Sequence, residues 1–216
     1  MSDEPGALRI VFDFGGVLFN WRPRELVQRF LPAHAGDDAA VVRLVSGVFQ
    51  GFGGDWAQFD RGVLEADELV HRIATRTGLP SPDVAALVAG VPPSLTPRPD
   101  TVDLLLRLRA AGVTLHFLSN MPRPYAAHLD RTHPELMQHF ERGLYSSHVQ
   151  LIKPEAALYE LASRHFDAPA DRLVLLDDIA ANVEAARTIG WKALQFTDAA
   201  ACERALRAHG WWPARA

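Results

Sequence analysis

Four short apolar runs, LRIVF (8–12), VTLHFL (113–118), LVLL (173–176) and KALQF (192–196), punctuate this chain of 216 residues. Each is bounded by turn or polar residues, as expected of strands covered on both faces in a parallel sheet. Amphipathic segments of helical length lie between them, at 100–111, 154–166, 179–189 and 198–209. Asp100 reads as an N-cap, Pro154 as a first-turn residue, and Gly112 and Gly190 as C-terminal stops. Strand, helix and strand in repetition call for right-handed βαβ crossovers. The expected class is therefore α/β with a doubly wound parallel sheet.

The first interval breaks that rhythm. Residues 13–99 separate the first strand from the first of these helices, far more than one crossover needs. Helical patterns fill most of it: RELVQRFL, AAVVRLVSGVF, EADELVHRIATRTG and PDVAALVAG. Gly51-Phe-Gly-Gly54 separates two of these pieces, and the prolines at 92, 93, 97 and 99 mark the return to the core. The expected organisation is an α/β core of residues 1–21 and 92–216. Residues 22–91 form a helical insert of about four helices over the end of the first strand. Trp211 and Trp212 read as cover for the sheet edge.

Composition narrows the partners. The net charge is −4 and the 22 Lys and Arg form no basic tract, which argues against a nucleic-acid partner. The single cysteine, Cys202, allows no intrachain disulfide and fits a reducing cytoplasm. The first residues, MSDEPGAL, lack the cationic and long apolar parts of a secretory leader. No apolar run approaches the roughly 20 residues that span a bilayer, so no membrane partner is expected. None of the nine histidines stands in an H-x-x-x-H or H-E-x-x-H spacing, which argues against zinc.

With this topology, several polar groups meet at the carboxyl ends of the strands, where open α/β sheets bind their ligands. Asp13 follows the first run, Ser119-Asn120 the second and Asp177-Asp178 the third, while Lys153-Pro154 opens a helix between strands. Taken alone, each has a plainer reading: a surface turn, a helix cap or a solvated helix start. Together, three acids, a hydroxyl and an ammonium suit a hard cation and a phosphate group.

These segments resemble the motifs of the haloacid dehalogenase-like (HAD) hydrolases over nearly the whole chain. FDFGGVL is similar to the first motif, HFLSN to the second, IKPEAALY to the third and LLDDIAANVEAARTIG to the fourth. The insert after the first motif stands where that family places its type 1 helical cap. The resemblance implies a Mg²⁺-dependent phosphomonoester hydrolase acting on a small phosphorylated metabolite through an aspartyl-phosphate. It implies Asp13 as nucleophile. It implies Asp13, Asp178, the Gly15 carbonyl and Asp177 (directly or through water) as holders of Mg²⁺. Ser119, the amide of Asn120 and Lys153 would hold the phosphate, with Asn182 a further motif residue.

One position departs from the pattern. Most phosphatases of the family carry a second acid two residues after the nucleophile, where this chain has Gly15. That acid protonates the leaving oxygen, a service typically worth ~10²–10⁴ in rate. Three explanations follow: a leaving group that needs less help, such as a sugar 1-phosphate; another donor, such as a water on the cation or Asp60 in FDRG; or lost turnover with phosphate binding retained. A glycine there with FDRG in the insert resembles the branch that includes bacterial α-glucose-1-phosphate phosphatases, so a sugar phosphate is the expected substrate. The same insert text also reads as a plain helix-turn-helix with Gly62 at the turn. Asn20, Trp21 and Arg22 stand at the entrance to the insert as candidate substrate contacts, with Asp60 and Asn182. The alternatives are a 2-haloacid dehalogenase, a phosphosugar mutase and a phosphate-binding protein without catalysis. Asp177-Asp178 argues against the first, because those enzymes need no metal and pair no such acids. Gly15 argues against the second. Oligomeric state is not legible.

Overall fold

The computed structural model describes residues 7–212; residues 1–6, part of the stretch read as lacking a leader, lie outside them. Five parallel strands form one sheet: β1 (Arg9–Phe12), β2 (Thr114–Ser119), β3 (Arg142–Tyr145), β4 (Leu173–Asp177) and β5 (Lys192–Gln195). Their order is β3-β2-β1-β4-β5, so β1 is central. Phe12 pairs in register with Phe117 on one side and Leu176 on the other. Asp13 therefore leaves the middle of the sheet between the ends of β2 and β4, at the point where the strand order reverses.

Helices α1 (Pro23–Phe30), α2 (Asp38–Phe49), α3 (Asp55–Arg61), α4 (Ala66–Thr77) and α5 (Ser81–Ser94) all fall between β1 and α6 (Pro99–Ala110), which leads into β2. The short α8 (Pro134–Met137) follows α7 (Arg123–Thr132) before β3, and α9 (Ser146–Val149) and α10 (Ala156–His165) precede β4. Helices α11 (Ala180–Thr188) and α12 (Ala199–Ala208) flank β5. No helix of the described residues is long and apolar enough to cross a membrane.

Successive strand residues point to opposite faces, and the core divides accordingly. Ile10, Phe12, Leu115, Phe117, Val174 and Leu176 join one cluster, while Val11, Leu118, Leu173 and Leu175 join the other. The first cluster continues without a break into the insert through Val27, Val41, Phe59, Leu69, Ile73 and Leu87. Each such fully buried aliphatic or aromatic side chain contributes about 1.5–3 kcal/mol. The insert thus shares a continuous core with one face of the sheet and meets the rest of the protein through α3 on α9 and α5 on α7, helices that follow the strand ends. Trp211 and Trp212 also pack on this cluster, and Arg207 lies 4.2 Å over the Trp212 ring.

Several expectations need correction. A fifth strand, β3, is present; its four residues, RGLY, are too short and too polar at the start to show an apolar run. Gly143 is required there because a Cβ would stand 1.8 Å from the Phe117 ring. The insert has five helices, since WAQFDR forms α3 with Gly62 as a left-handed C-cap at φ 77°. Pro92 and Pro93 do not break the helical pattern but lie inside α5. Pro92 lacks the N–H that would bond the Val88 carbonyl, and that carbonyl accepts the Tyr125 hydroxyl of α7 at 2.7 Å instead. Asp100 is not the N-cap of α6, because Arg98 takes that place; Asp100 sits in the first turn, where a carboxylate favours the helix dipole. Pro154 stands before α10, behind a cis Lys153–Pro154 bond, with Glu155 as the cap.

Candidate active site

Asp13 continues the ladder of β1, its N–H donating to Leu176 O at 2.9 Å. Its Oδ1 accepts from the Phe14 amide at 2.7 Å and from Lys153 Nζ at 2.9 Å. The chain then folds back tightly. The Phe14 carbonyl accepts from the amides of Val17, Leu18 and Phe19, and the Phe14 ring is buried. The two glycines of this turn do different things. Gly16 has φ +79°, and a Cβ there would lie 2.2 Å from Oδ2 of Asp178. Gly15 has room: a Cβ would meet only Trp21, at 3.7 Å.

Lys153 is fully buried between two acids, with Nζ 2.9 Å from Asp13 and 2.6 Å from Asp177. Burial works against its ammonium, but the two carboxylates win and raise its pKa. Its backbone is clamped by one side chain: Asn120 Oδ1 accepts from Lys153 N at 2.8 Å, and Asn120 Nδ2 donates to Lys153 O at 3.0 Å. Asp177 is engaged on both oxygens, by Lys153, by Asn182 Nδ2 at 2.9 and 3.1 Å, and by the Ile179 amide at 2.9 Å. Asn182 orients Asp177 as well as lining the cavity described below. Ser119 ends β2 with its hydroxyl buried and unpartnered, a costly state that a bound acceptor or donor would relieve.

Carboxylate oxygens of Asp13, Asp177 and Asp178 lie within 4.8 Å of one another. Burial pushes the Asp13 carboxyl up to about 8, against the pull of Lys153 and with the help of Asp177 and Asp178. Burial, then Asp177, pushes Asp178 up to about 6. Three acids facing one ammonium make a site short of positive charge, so the donor set fits a divalent cation.

A cavity of about 350 Å³ opens over this cluster. Asp13, Gly15, Asn120, Lys153, Asp178 and Asn182 face it, with Trp21 and Asp60 of the expected substrate contacts. Asn20 and Arg22 are not among its lining residues. Asn20 instead bonds Thr96 Oγ1 at 2.9 Å, tying the two connections of the insert together, and Arg22 pairs with Glu25.

The text FDRG is explained residue by residue. Phe59 is buried, Asp60 faces the cavity, Arg61 pairs with Glu155 and bonds Gln150 O at 3.0 Å, and a Cβ on Gly62 would stand 2.7 Å from Ser147 O. The Asp60 carbonyl also accepts from Ser146 Oγ at 2.5 Å. Desolvation, then the charge of Asp13, pushes the Asp60 carboxyl up to about 8. The Arg61–Glu155 pair, whose members are 94 positions apart, and the cavity-lining Phe49, Trp56 and Tyr125 leave no local signal in the sequence.

A doubly wound sheet with a buried acid at its central strand, a lysine between two carboxylates and a helical insert over the crevice is the arrangement expected of a haloacid dehalogenase-like hydrolase. The family model for haloacid dehalogenase-like hydrolases matches residues 9–190, and the chain belongs to that family. It is 30% identical over 198 residues to the sesquiterpene phosphatase astK of Aspergillus oryzae, covering 91% of this chain and 93% of that protein. It is 25% identical over 193 residues to the (S)-2-haloacid dehalogenase H-109 of Pseudomonas putida, covering 84% and 82%. Among solved structures, a HAD family enzyme of Bacteroides thetaiotaomicron in complex with magnesium and inorganic phosphate superposes with a TM-score of 0.68 at 19% identity, covering 89% and 96%.

Proposed function

We propose that the protein is a Mg²⁺-dependent phosphomonoester hydrolase working through an aspartyl-phosphate on Asp13, with residues 22–91 as a cap over the core of 1–21 and 92–216. The observation that carries this is the cluster of Asp13, Asp177 and Asp178 within 4.8 Å around one buried lysine. Mg²⁺ held by Asp13, Asp178, the Gly15 carbonyl and Asp177 would cancel charge that otherwise keeps a carboxylate from a phosphate dianion.

The remaining steps belong to the chain's own groups. Ser119, the amide of Asn120 and Lys153 hold phosphate oxygens and favour the charge that builds on them. An oxygen of Asp13 attacks phosphorus as the ester P–O bond breaks, and the leaving oxygen takes its proton from Asp60. Water then attacks the phosphorus of the aspartyl-phosphate, gives a proton back to Asp60 and restores Asp13 with release of phosphate. Asp60 suits the part because it faces the same cavity, is held by its neighbours on both sides, and carries a carboxyl pushed up to about 8.

Dehalogenation at carbon is the weaker reading. Release of halide requires no divalent cation, and the clustered carboxylates would repel a carboxylate substrate. Hydrolysis of p-nitrophenyl phosphate with and without Mg²⁺ tests the proposal. The wild type is expected to turn over only with metal, and Asp13→Asn to lose at least ~10³ in kcat. Equal rates in the two proteins would end it, as would metal-free halide release from 2-chloropropionate.

A further inference from the structure

The cavity over Asp13 has two unlike ends. Its floor carries the carboxylates and the ammonium. Its walls are aromatic and aliphatic, with Trp21, Phe49, Trp56 and Tyr125 as the largest members. These rings touch in sequence: Trp21 to Phe49 at 5.1 Å, Phe49 to Trp56 at 4.6 Å and Trp56 to Tyr125 at 6.5 Å between centroids.

The polar atoms of the wall are largely spoken for. The Tyr125 hydroxyl donates to Val88 O, so its ring is what remains to meet a ligand. Gln50 Oε1 accepts from the Asp55 amide at 2.8 Å. Asn120 is bonded to Lys153 through both side-chain polar atoms and Asn182 Nδ2 to Asp177, which leaves Asn182 Oδ1 as an unpartnered acceptor beside the carboxylates. Phe52 and Ile179 also line the cavity, 45% and 43% exposed, Phe52 on the glycine-rich loop after α2 and Ile179 beside Asp178, with its amide 2.9 Å from Asp177 Oδ1. Among the described residues, two of the five large exposed hydrophobics thus line the cavity over Asp13.

We infer that the substrate is the phosphate monoester of an apolar alcohol, with its hydrocarbon body on Trp21, Phe49, Trp56 and Tyr125 and its far end against Phe52. This rests on the phosphatase reading and replaces the sugar expected from sequence. A sugar ring would bring several hydroxyls to walls that offer them few partners, and each hydroxyl left unpaired lowers affinity by about five- to a hundredfold. Each methylene moved from water to such walls raises it by about fourfold.

The test is kcat/KM, with Mg²⁺, for ethyl, hexyl and decyl phosphate and for glucose 6-phosphate, all esters of primary alcohols. Hexyl phosphate is expected to exceed ethyl phosphate by about two hundredfold, decyl phosphate to equal or exceed hexyl phosphate, and glucose 6-phosphate to fall at or below ethyl phosphate. Phe52→Ala, at an exposed position, should lower the decyl value several-fold more than the ethyl value. A flat alkyl series, or glucose 6-phosphate at the level of hexyl phosphate, overturns the inference. If p-nitrophenyl phosphate is still cleaved with Mg²⁺ in that case, the phosphatase reading survives it. If no ester is cleaved, that reading fails, and binding of the same compounds to Asp13→Asn by tryptophan fluorescence decides the remainder. Hexyl phosphate binding no tighter than glucose 6-phosphate there would again overturn the inference.

Discussion

A Cβ on Gly16 would stand 2.2 Å from Oδ2 of Asp178, so the turn after β1 and the carboxylate after β4 share one space. A side chain at 16 would also have to adopt φ +79°, a conformation that favours glycine. Gly16→Ala should therefore displace Asp178 and weaken Mg²⁺ activation at least tenfold, with a loss of stability of about 1–3 kcal/mol. Gly15→Ala, whose new methyl meets only Trp21 at 3.7 Å, should cost far less. Metal titrations of activity and thermal melts of both variants check this; equal damage from the two would refute the division of labour.

The acids of the site should make metal binding visible in stability. Asp13 and Asp60 are pushed up to about 8 and Asp178 to about 6, each chiefly by burial. A carboxyl whose folded pKa exceeds its unfolded value stabilises the fold fully below the unfolded value. That contribution is lost as pH rises through the folded one. The metal-free protein should therefore melt lower at pH 8 than at pH 5.5. Under the proposed function Mg²⁺ would bind the ionised acids, so its stabilisation should run the other way. At about a hundred times its Kd it should raise Tm by roughly 5–10 °C at pH 8 and by less at pH 5.5. A melting temperature indifferent to Mg²⁺ at pH 8 would remove the metal from the proposal.

Lys153 supplies a third test. It is the counter-charge of Asp13 and Asp177 at 2.9 and 2.6 Å, all three buried. Lys153→Met should abolish turnover and destabilise the fold by about 3–5 kcal/mol near neutrality. The deficit should shrink toward pH 5, because Asp13 without its ammonium takes up a proton still more readily. Denaturant unfolding at two pH values measures it, and a deficit that grows on acidification would contradict the assignment.

Much of this site was legible because its polar groups sit where strands end, and strand ends show in the apolar pattern. Asp13, Ser119 and Asp177 all follow or close such runs. Asp13, Lys153 and Asp177 meet as their place in the α/β order requires. What was not legible has physical reasons. Strand β3 is held by hydrogen bonds to β2 and carries no apolar run to announce it. Helix α5 accommodates Pro92 because Tyr125, a distant residue, takes up the Val88 carbonyl that Pro92 leaves free. The same distance hides the aromatic wall, since Phe49 and Trp56 flank a glycine-rich loop while Tyr125 comes from the core. Asn20 and Arg22 looked like entrance residues by position, yet their side chains bond Thr96 and Glu25.

The missing acid at position 15 gives the most direct test of Asp60. If Asp60 protonates the leaving oxygen, Asp60→Asn should slow esters of ordinary alcohols by about 10²–10⁴. It should hardly touch p-nitrophenyl phosphate, whose leaving group needs no proton. A merely structural loss would slow both alike. Gly15→Asp places a carboxyl where most of the family's phosphatases carry one, and the space beside Trp21 admits it, with 3.7 Å to the nearest atom of the first added carbon. In the Asp60→Asn background it should restore at least tenfold of the alkyl phosphate activity while leaving the aryl rate little changed. Circular dichroism and the aryl rate establish that each variant is folded. Asp60→Asn with alkyl and aryl rates reduced by the same factor would assign the proton to another donor and leave Asp60 as a wall of the cavity.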